Sequence, residues 1–249
     1  MVRNDVEKEM NFTGHLAELR NRLVVTAFFF VVFFIASFAY VKEIYGFFES
    51  HIDFKLTVIG LGEVFWVQFT MAGIVALAAT IPILALQIWL FIKPGLTPKE
   101  RKASLAYIPA IFLLFVGGLV VGYIMFINLI LPFLLSLNDG MFNEMFTVEK
   151  YFKFVFRITL PFAIIFEIPI IAMFLTSIGI LSPSSMRKMR KYAYFILIIV
   201  AAMVTPPDFI LPLIVSVPFF LLYEISVYLS GIVYRKKEEK HREFMEAEN

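Results

Sequence analysis

Long apolar runs separated by short, charge-bearing segments set the pattern of this chain. Residues 23–41 carry no charge between Arg22 and Lys42, and residues 69–92, 105–130, 151–178 and 209–233 form four further long runs. A sixth run, 192–204, is strongly apolar but much shorter. A helix needs about 20 mostly apolar residues to cross the hydrocarbon core of a bilayer, so the pattern predicts an all-α chain with six membrane spans. Thr205-Pro206-Pro207-Asp208 separates the last two runs. No single helix continues through such a turn. Pro82 and Gln87 interrupt the second run, Arg157 and Glu167 lie in the fourth, and Pro212, Pro218 and Glu224 lie in the last. Residues 1–249 read as one transmembrane domain ending in a charged tail, 234–249, with no internal repeat.

The short run has a physical consequence. At about 1.5 Å per residue it reaches ~20 Å, against a core of ~30 Å. Either polar flanks are drawn inward or the bilayer thins beside it. Two connecting segments on the opposite side predict a modest cap. Segment 51–63 contains the strand-like alternation Phe54-Lys55-Leu56-Thr57-Val58, and 132–150 contains the turn signal Asn138-Asp139-Gly140.

Composition agrees with lipid as the solvent. Of the 249 residues 60% are hydrophobic and 17% charged, against roughly 45–50% and 25% in soluble domains. A soluble fold of this size has too little polar surface to cover that content. The net charge of +2 is uninformative, but the placement of charge is not. Arg3, Lys8, Arg20 and Arg22 precede the first run; Lys93, Lys99, Arg101 and Lys102 follow the second. Arg187, Lys188, Arg190 and Lys191 precede the fifth, and Arg235, Lys236, Lys237, Lys240 and Arg242 follow the last. Among the 22 Lys and Arg residues only Lys42, Lys55, Lys150, Lys153 and Arg157 fall elsewhere. The positive-inside rule puts the four basic segments in the cytoplasm. An even number of spans then puts both termini there, and the polar start of the chain, unlike a cleavable leader, is expected to be retained.

Several chemistries are disfavoured. There is no cysteine, hence no disulfide, zinc ribbon or thiol nucleophile. His15, His51 and His241 all lie outside the apolar runs, which argues against an intramembrane metal site. No G-x-x-x-x-G-K-[ST], H-E-x-x-H or G-x-S-x-G pattern occurs, so nucleotide hydrolysis by a phosphate loop and intramembrane proteolysis lack their usual parts. The chain reads as a non-enzyme with no cofactor and no nucleic-acid partner.

The acids are the candidates for function. Glu167, in Phe166-Glu167-Ile168-Pro169, sits well inside an apolar run. An acid at bilayer depth costs about 2.5–3.5 kcal/mol on insertion scales and usually faces protein or a water-filled cavity. Arg157 is roughly 15 Å away along a straight helix, too far for a simple intrahelical ion pair. Glu167 is therefore either a hydrogen-bonded packing residue or a functional one. One functional form is the proton relay of a small-solute secondary transporter, a fold that usually shows inverted repeats. Glu100 closes Thr97-Pro98-Lys99-Glu100, which reads as a capping box with Pro at the first helical position, or as a carboxylate awaiting a cation. Glu18 can pair with Arg22 one helical turn on. Ser182-Pro183 reads as an N-cap, Gly118-Leu-Val-Val-Gly122 as a close-packing pattern, and Glu224 as an acid near the membrane surface.

Taken in register, the following segments resemble the TatC family, the core subunit of the twin-arginine protein translocase. They are His15-Leu-Ala-Glu-Leu-Arg-Asn-Arg-Leu23, Phe91-Ile-Lys-Pro-Gly-Leu-Thr-Pro-Lys-Glu-Arg-Lys102 and Phe166-Glu167-Ile-Pro169. Ser182-Pro-Ser-Ser-Met-Arg-Lys-Met-Arg-Lys-Tyr192, Thr205-Pro-Pro-Asp208 and Tyr223-Glu224-Ile225 complete the series. The resemblance spans nearly the whole chain. It implies six helices in a concave, glove-like arrangement in the cytoplasmic membrane, acting as receptor and scaffold for folded cargo with twin-arginine signal peptides. Export would be driven by the proton-motive force. It further implies that Glu18 and Glu100 bind the arginine pair, with Arg20 and Phe91 in the neighbouring surface, and that Glu167 is the family's intramembrane glutamate. Short spans five and six would dock the single-span partners TatA and TatB, other copies of the chain would join the complex, and Glu63, Asp208 and Glu224 would be partner contacts or structural acids. Two departures are visible: Leu61-Gly62 stands where the family often has Ser-Pro before Glu63, and Phe209-Ile-Leu-Pro212 is apolar where many members carry a polar residue.

Overall fold

The structure is a computed structural model. It describes residues 2–52, 54–96, 101, 104–138, 145–206 and 208–247, with side chains from 14 to 239 apart from 15. Among its described residues every regular element is a helix, with no strand beyond one isolated bridge. Five segments are long and apolar enough to cross a membrane: Leu16–Phe38, Leu61–Ile92, Tyr107–Ser136, Val148–Ser177 and Ile210–Glu239. The sixth expected span lies in a helix, Pro183–Val204, whose first turns carry Arg187, Lys188, Arg190 and Lys191. It has the length of a span but not the apolar length.

The chain divides into two compact units. The first comprises Met1–Ser50 and Phe65–Phe112. Helix α1, Val2–Phe38, runs without a break from the polar N-terminal segment into the first apolar run, because nothing between them removes a backbone donor. It stops where Ala39 and Tyr40 turn back to Ala36 and Ser37, and the short helix α2, Val41–Glu49, follows. Helix α3, Leu61–Ile92, tolerates Pro82 in its interior. It begins eight residues before the apolar run predicts, so Glu63 stands in its first turn and not in a loop. A ladder of rings joins α1 to α3, with Phe34 and Phe69 centroids 4.6 Å apart and Phe38 and Phe69 6.4 Å apart. After α3, a 3-10 turn at Lys93–Gly95 buries Leu96. Arg101 fastens that turn by donating to the carbonyls of Lys93 (3.0 Å) and Leu96 (3.1 Å), and Trp89 donates to the Ser104 hydroxyl at 2.8 Å.

The second unit comprises His51–Val64 and Leu113–Asn249. Helix α4, Tyr107–Met125, widens into a π turn at Phe126–Ile130 before helix α5, Leu131–Ser136. Pro132 explains the widening: it has no N–H to donate and its ring crowds the carbonyl four residues back. The third apolar segment therefore extends six residues past its predicted end. Helix α6, Val148–Ile165, opens on Thr147, whose hydroxyl accepts from the Lys150 N–H at 3.3 Å. It breaks at Phe166 and Glu167 before helix α7, Ile168–Ser177, again one turn ahead of a proline, Pro169. Helix α8, Pro183–Val204, carries the expected N-cap, with the Ser182 hydroxyl accepting from the Ser185 N–H at 3.1 Å. Helix α9, Ile210–Ala247, continues through the charged tail.

The core of this unit lies on α6, where Phe152, Val155, Ile158, Phe162 and Ala163 are fully buried. Gly118 and Gly122 let α4 close on it. A Cβ added at Gly118 would fall 2.5 Å from the Ala163 Cα, and one at Gly122 2.8 Å from the Thr159 Cα. Both distances are below any real Cβ contact, so the small-residue pattern is a helix–helix contact. Phe162 packs on Phe219 of α9 at 4.7 Å. Between α7 and α8, Gly179 takes φ +86, a left-handed conformation that closes a helix end and favours glycine. The strand-like alternation at 54–58 yields a single bridge between Thr57 and Thr147, with Thr57 N donating to Phe146 O and Val148 N to Thr57 O. The Asp139-Gly140 turn signal lies outside the described residues.

Candidate functional site

In the first unit the sequence's acid is already engaged. Glu18 and Arg22 lie one turn apart on α1, and the Arg22 Nε (3.1 Å) and Nη2 both donate to Glu18 Oε1. The same guanidinium reaches α3: Nη1 donates to Gln87 Oε1 at 3.4 Å and Nη2 to the Leu90 carbonyl at 3.3 Å. The pair is partly sheltered, the side chains of Arg22 and Glu18 being 21% and 35% exposed. That shelter suits a forked, charge-assisted contact better than a bulk-water ion pair. Leu90 is in the last turn of α3, where carbonyls lack intrahelical donors and a cation is favoured. Arg22 thus ties three acceptors into one cluster, a role the sequence alone gave no signal for beyond the Glu18 spacing. Phe91, half-buried, is the next residue of α3, while Arg20 is exposed and donates to Asn21 at 3.5 Å. Glu100 lies outside the described residues.

In the second unit Glu167 stands at the break between α6 and α7. It is 9% exposed, and among the described residues neither carboxylate oxygen has a hydrogen-bond partner. It does not cap α7 with its side chain. Arg157 is engaged elsewhere, donating through Nε (3.1 Å) and Nη2 (2.6 Å) to the Met203 carbonyl at the end of α8, so the expectation of no intrahelical pair holds. An acid held dry without donors is costly to keep, and such positions are more often retained for function than for packing.

Glu224 is more embedded in polar contacts than its sequence context suggested. Arg190 Nη2 donates to its Oε2 and the Tyr194 hydroxyl to its Oε1, both at 2.5 Å. The Tyr223 hydroxyl donates to the Met186 carbonyl at 2.8 Å. A helical pattern cannot reveal this network, because its members come from two antiparallel helices. Asp208 accepts from the Phe209 N–H at 2.6 Å, and its second oxygen is buried without a partner among the described residues, as is Oε2 of Glu63. Among the described residues no three His, Cys, Asp or Glu side chains converge as metal ligands.

Comparison with known proteins is consistent across sequence and structure. The family model described as "Sec-independent protein translocase protein (TatC)" matches residues 14–218. The chain is 45% identical over 231 residues to TatCd of Bacillus subtilis (strain 168), covering 93% of this chain and 96% of that protein. It is 38% identical over 243 residues to TatC of Halalkalibacterium halodurans, covering 95% and 96%. A crystal structure described as the twin arginine translocase receptor TatC superposes with a TM-score of 0.77 at 27% identity, covering 88% of this chain and 99% of that one. The same receptor in DDM gives 0.79 at 28% identity, covering 87% and 99%.

Proposed function

The chain belongs to the TatC family of Sec-independent protein translocase proteins, and we propose that it is the signal-peptide receptor and scaffold of the twin-arginine translocase. It is a multi-pass membrane protein of that translocase. In the proposed reading Glu18 and Glu100 bind the arginine pair of an incoming signal peptide, with Arg20 and Phe91 beside them. The observation that carries this is the Glu18–Arg22 contact: the Glu18 carboxylate already accepts two N–H donors from one guanidinium. A carboxylate oxygen that takes both N–H groups along one edge of a guanidinium suits arginine better than lysine, whose ammonium has no such edge.

The remaining parts follow from the same reading. Helix α8 crosses the membrane as a sixth span, both termini face the cytoplasm, and the chain sits in the cytoplasmic membrane as one functional domain. The bilayer thins beside α8, whose apolar part is residues 192–204. Helices α8 and α9 dock TatA and TatB, with Glu63, Asp208 and Glu224 serving partner or structural roles. Glu167 acts within the assembled complex, which includes further copies of this chain and uses the proton-motive force. The test is crosslinking of a twin-arginine precursor to membranes carrying Glu18→Lys or Glu100→Lys. Each variant is expected to insert normally and lose at least ~90% of the crosslink, a change of at least about 1.4 kcal/mol. Undiminished crosslinking to both overturns the reading.

A further inference from the structure

Side chains fix the register of α8 against α9. Arg190 and Tyr194 both reach Glu224, and the Tyr194 ring lies 4.7 Å from that of Phe220. Carried along two antiparallel helices, that register puts Arg187 opposite Val227 and Lys191 opposite Tyr223. Apart from Glu224, α9 stays uncharged until Arg235, about 12–18 Å farther along its axis. The basic turn of α8 therefore stands beside the uncharged length of α9 and not beyond its end.

Arg187, Lys188 and Lys191 are exposed. Helical spacing puts Lys188 and Lys191 on one face with Tyr192 and Phe195, which are 56% and 64% exposed. Lys191 Nζ stands 5.0 Å from the Tyr192 ring centroid. Among the described residues the one ion pair of this turn is Arg190–Glu224, and the other Glu224 oxygen is taken by Tyr194. The three remaining cations have no carboxylate partner there, although Lys188 and Lys191 share a face with large apolar side chains.

We propose that Arg187, Lys188 and Lys191 form a binding site for the phosphate of an anionic phospholipid, drawn along α8 toward the level of Tyr223 and Val227. Arginine meets phosphate as a fork and the lysines as point charges. The stems of these side chains and the Tyr192 and Phe195 rings cover the glycerol and upper acyl region, as amphipathic side chains do at a membrane surface. Charge complementarity selects an anionic lipid over a zwitterionic one. Each cation near such a surface contributes about fivefold, so the three together predict a preference of about a hundredfold.

The experiment is native mass spectrometry of the full chain purified in detergent with equal phosphatidylglycerol and phosphatidylcholine. The parent chain is expected to retain phosphatidylglycerol at least tenfold over phosphatidylcholine, and inorganic phosphate is not expected to displace it. The variant Arg187→Gln/Lys188→Gln/Lys191→Gln is expected to lose that preference, and Lys188→Gln alone, a milder surface change, to reduce it about fivefold. A photocrosslinker in place of Phe195 should label phospholipid in native membranes. Equal retention of both lipids by the parent chain, unchanged preference in the single and triple variants, or crosslinks from Phe195 to an acidic protein segment in place of lipid would each overturn the proposal.

Discussion

Arg22 holds Glu18 with one edge of its guanidinium and the end of α3 with the other. An incoming arginine can therefore take the carboxylate while Arg22 keeps its contacts to Gln87 and Leu90. If Glu18 binds cargo, Arg22 is a competitor inside the receptor, and the apparent affinity is lowered by the fraction of Glu18 it occupies. Arg22→Gln is then expected to tighten twin-arginine peptide binding by about two- to tenfold in a titration. The gain should vanish in a Glu18→Gln background, which a purely structural role for Arg22 would not produce. Glu167 gives the opposite separation of stability from function. Its oxygens have no hydrogen-bond partner among the described residues, so Glu167→Leu should leave thermal stability unchanged or raise it by about 1–3 kcal/mol, while precursor export falls. The Glu18–Arg22 pair was legible in the sequence because it lies within one helical turn. The links to Gln87 and Leu90, and from Glu224 to Arg190 and Tyr194, were not, since they join helices distant in the chain.

Helices were easier to place than their ends. The apolar runs located every long helix, but they understated α3 and the α4–α5 segment, because a helix continues as long as its backbone donors are satisfied, whatever the polarity of its side chains. Prolines gave the opposite error. Pro169 lay inside an expected unbroken span and Pro132 in the connecting segment just past one, yet each disturbs the helical turn before it. The glycine pair on α4 was legible from its spacing, and its packing partner was not. Since Gly118 meets the backbone of Ala163, no rotamer of a larger side chain relieves the clash. Gly118→Leu is expected to cost at least about 1–3 kcal/mol, read as a lowered Tm in detergent, and Gly117→Leu next to it, where nothing lies within 4 Å, should be silent.

For the whole molecule, the fold class and the family were legible from patterns spread over the chain, while sidedness rests on charge alone. The absence of native cysteine makes that testable. Single cysteines at Ser184 and Phe209, exposed residues on either side of the apolar part of α8, should be labelled by an impermeant thiol reagent from opposite sides of the membrane, Phe209 from outside; labelling of both from one side would remove α8 as a span. At that scale the anchoring of α8 has a mechanical meaning. Arg157 of α6 grips its last turn at Met203, and its own Arg190 grips Glu224 of α9 near the other end. A slide of α8 by one helical turn, about 5.4 Å, would break both grips together. Those grips oppose a piston motion, so in the proposed reading the yielding that lets a folded cargo pass comes from the surrounding lipid and from neighbouring subunits, with α8 as the fixed post against which they deform.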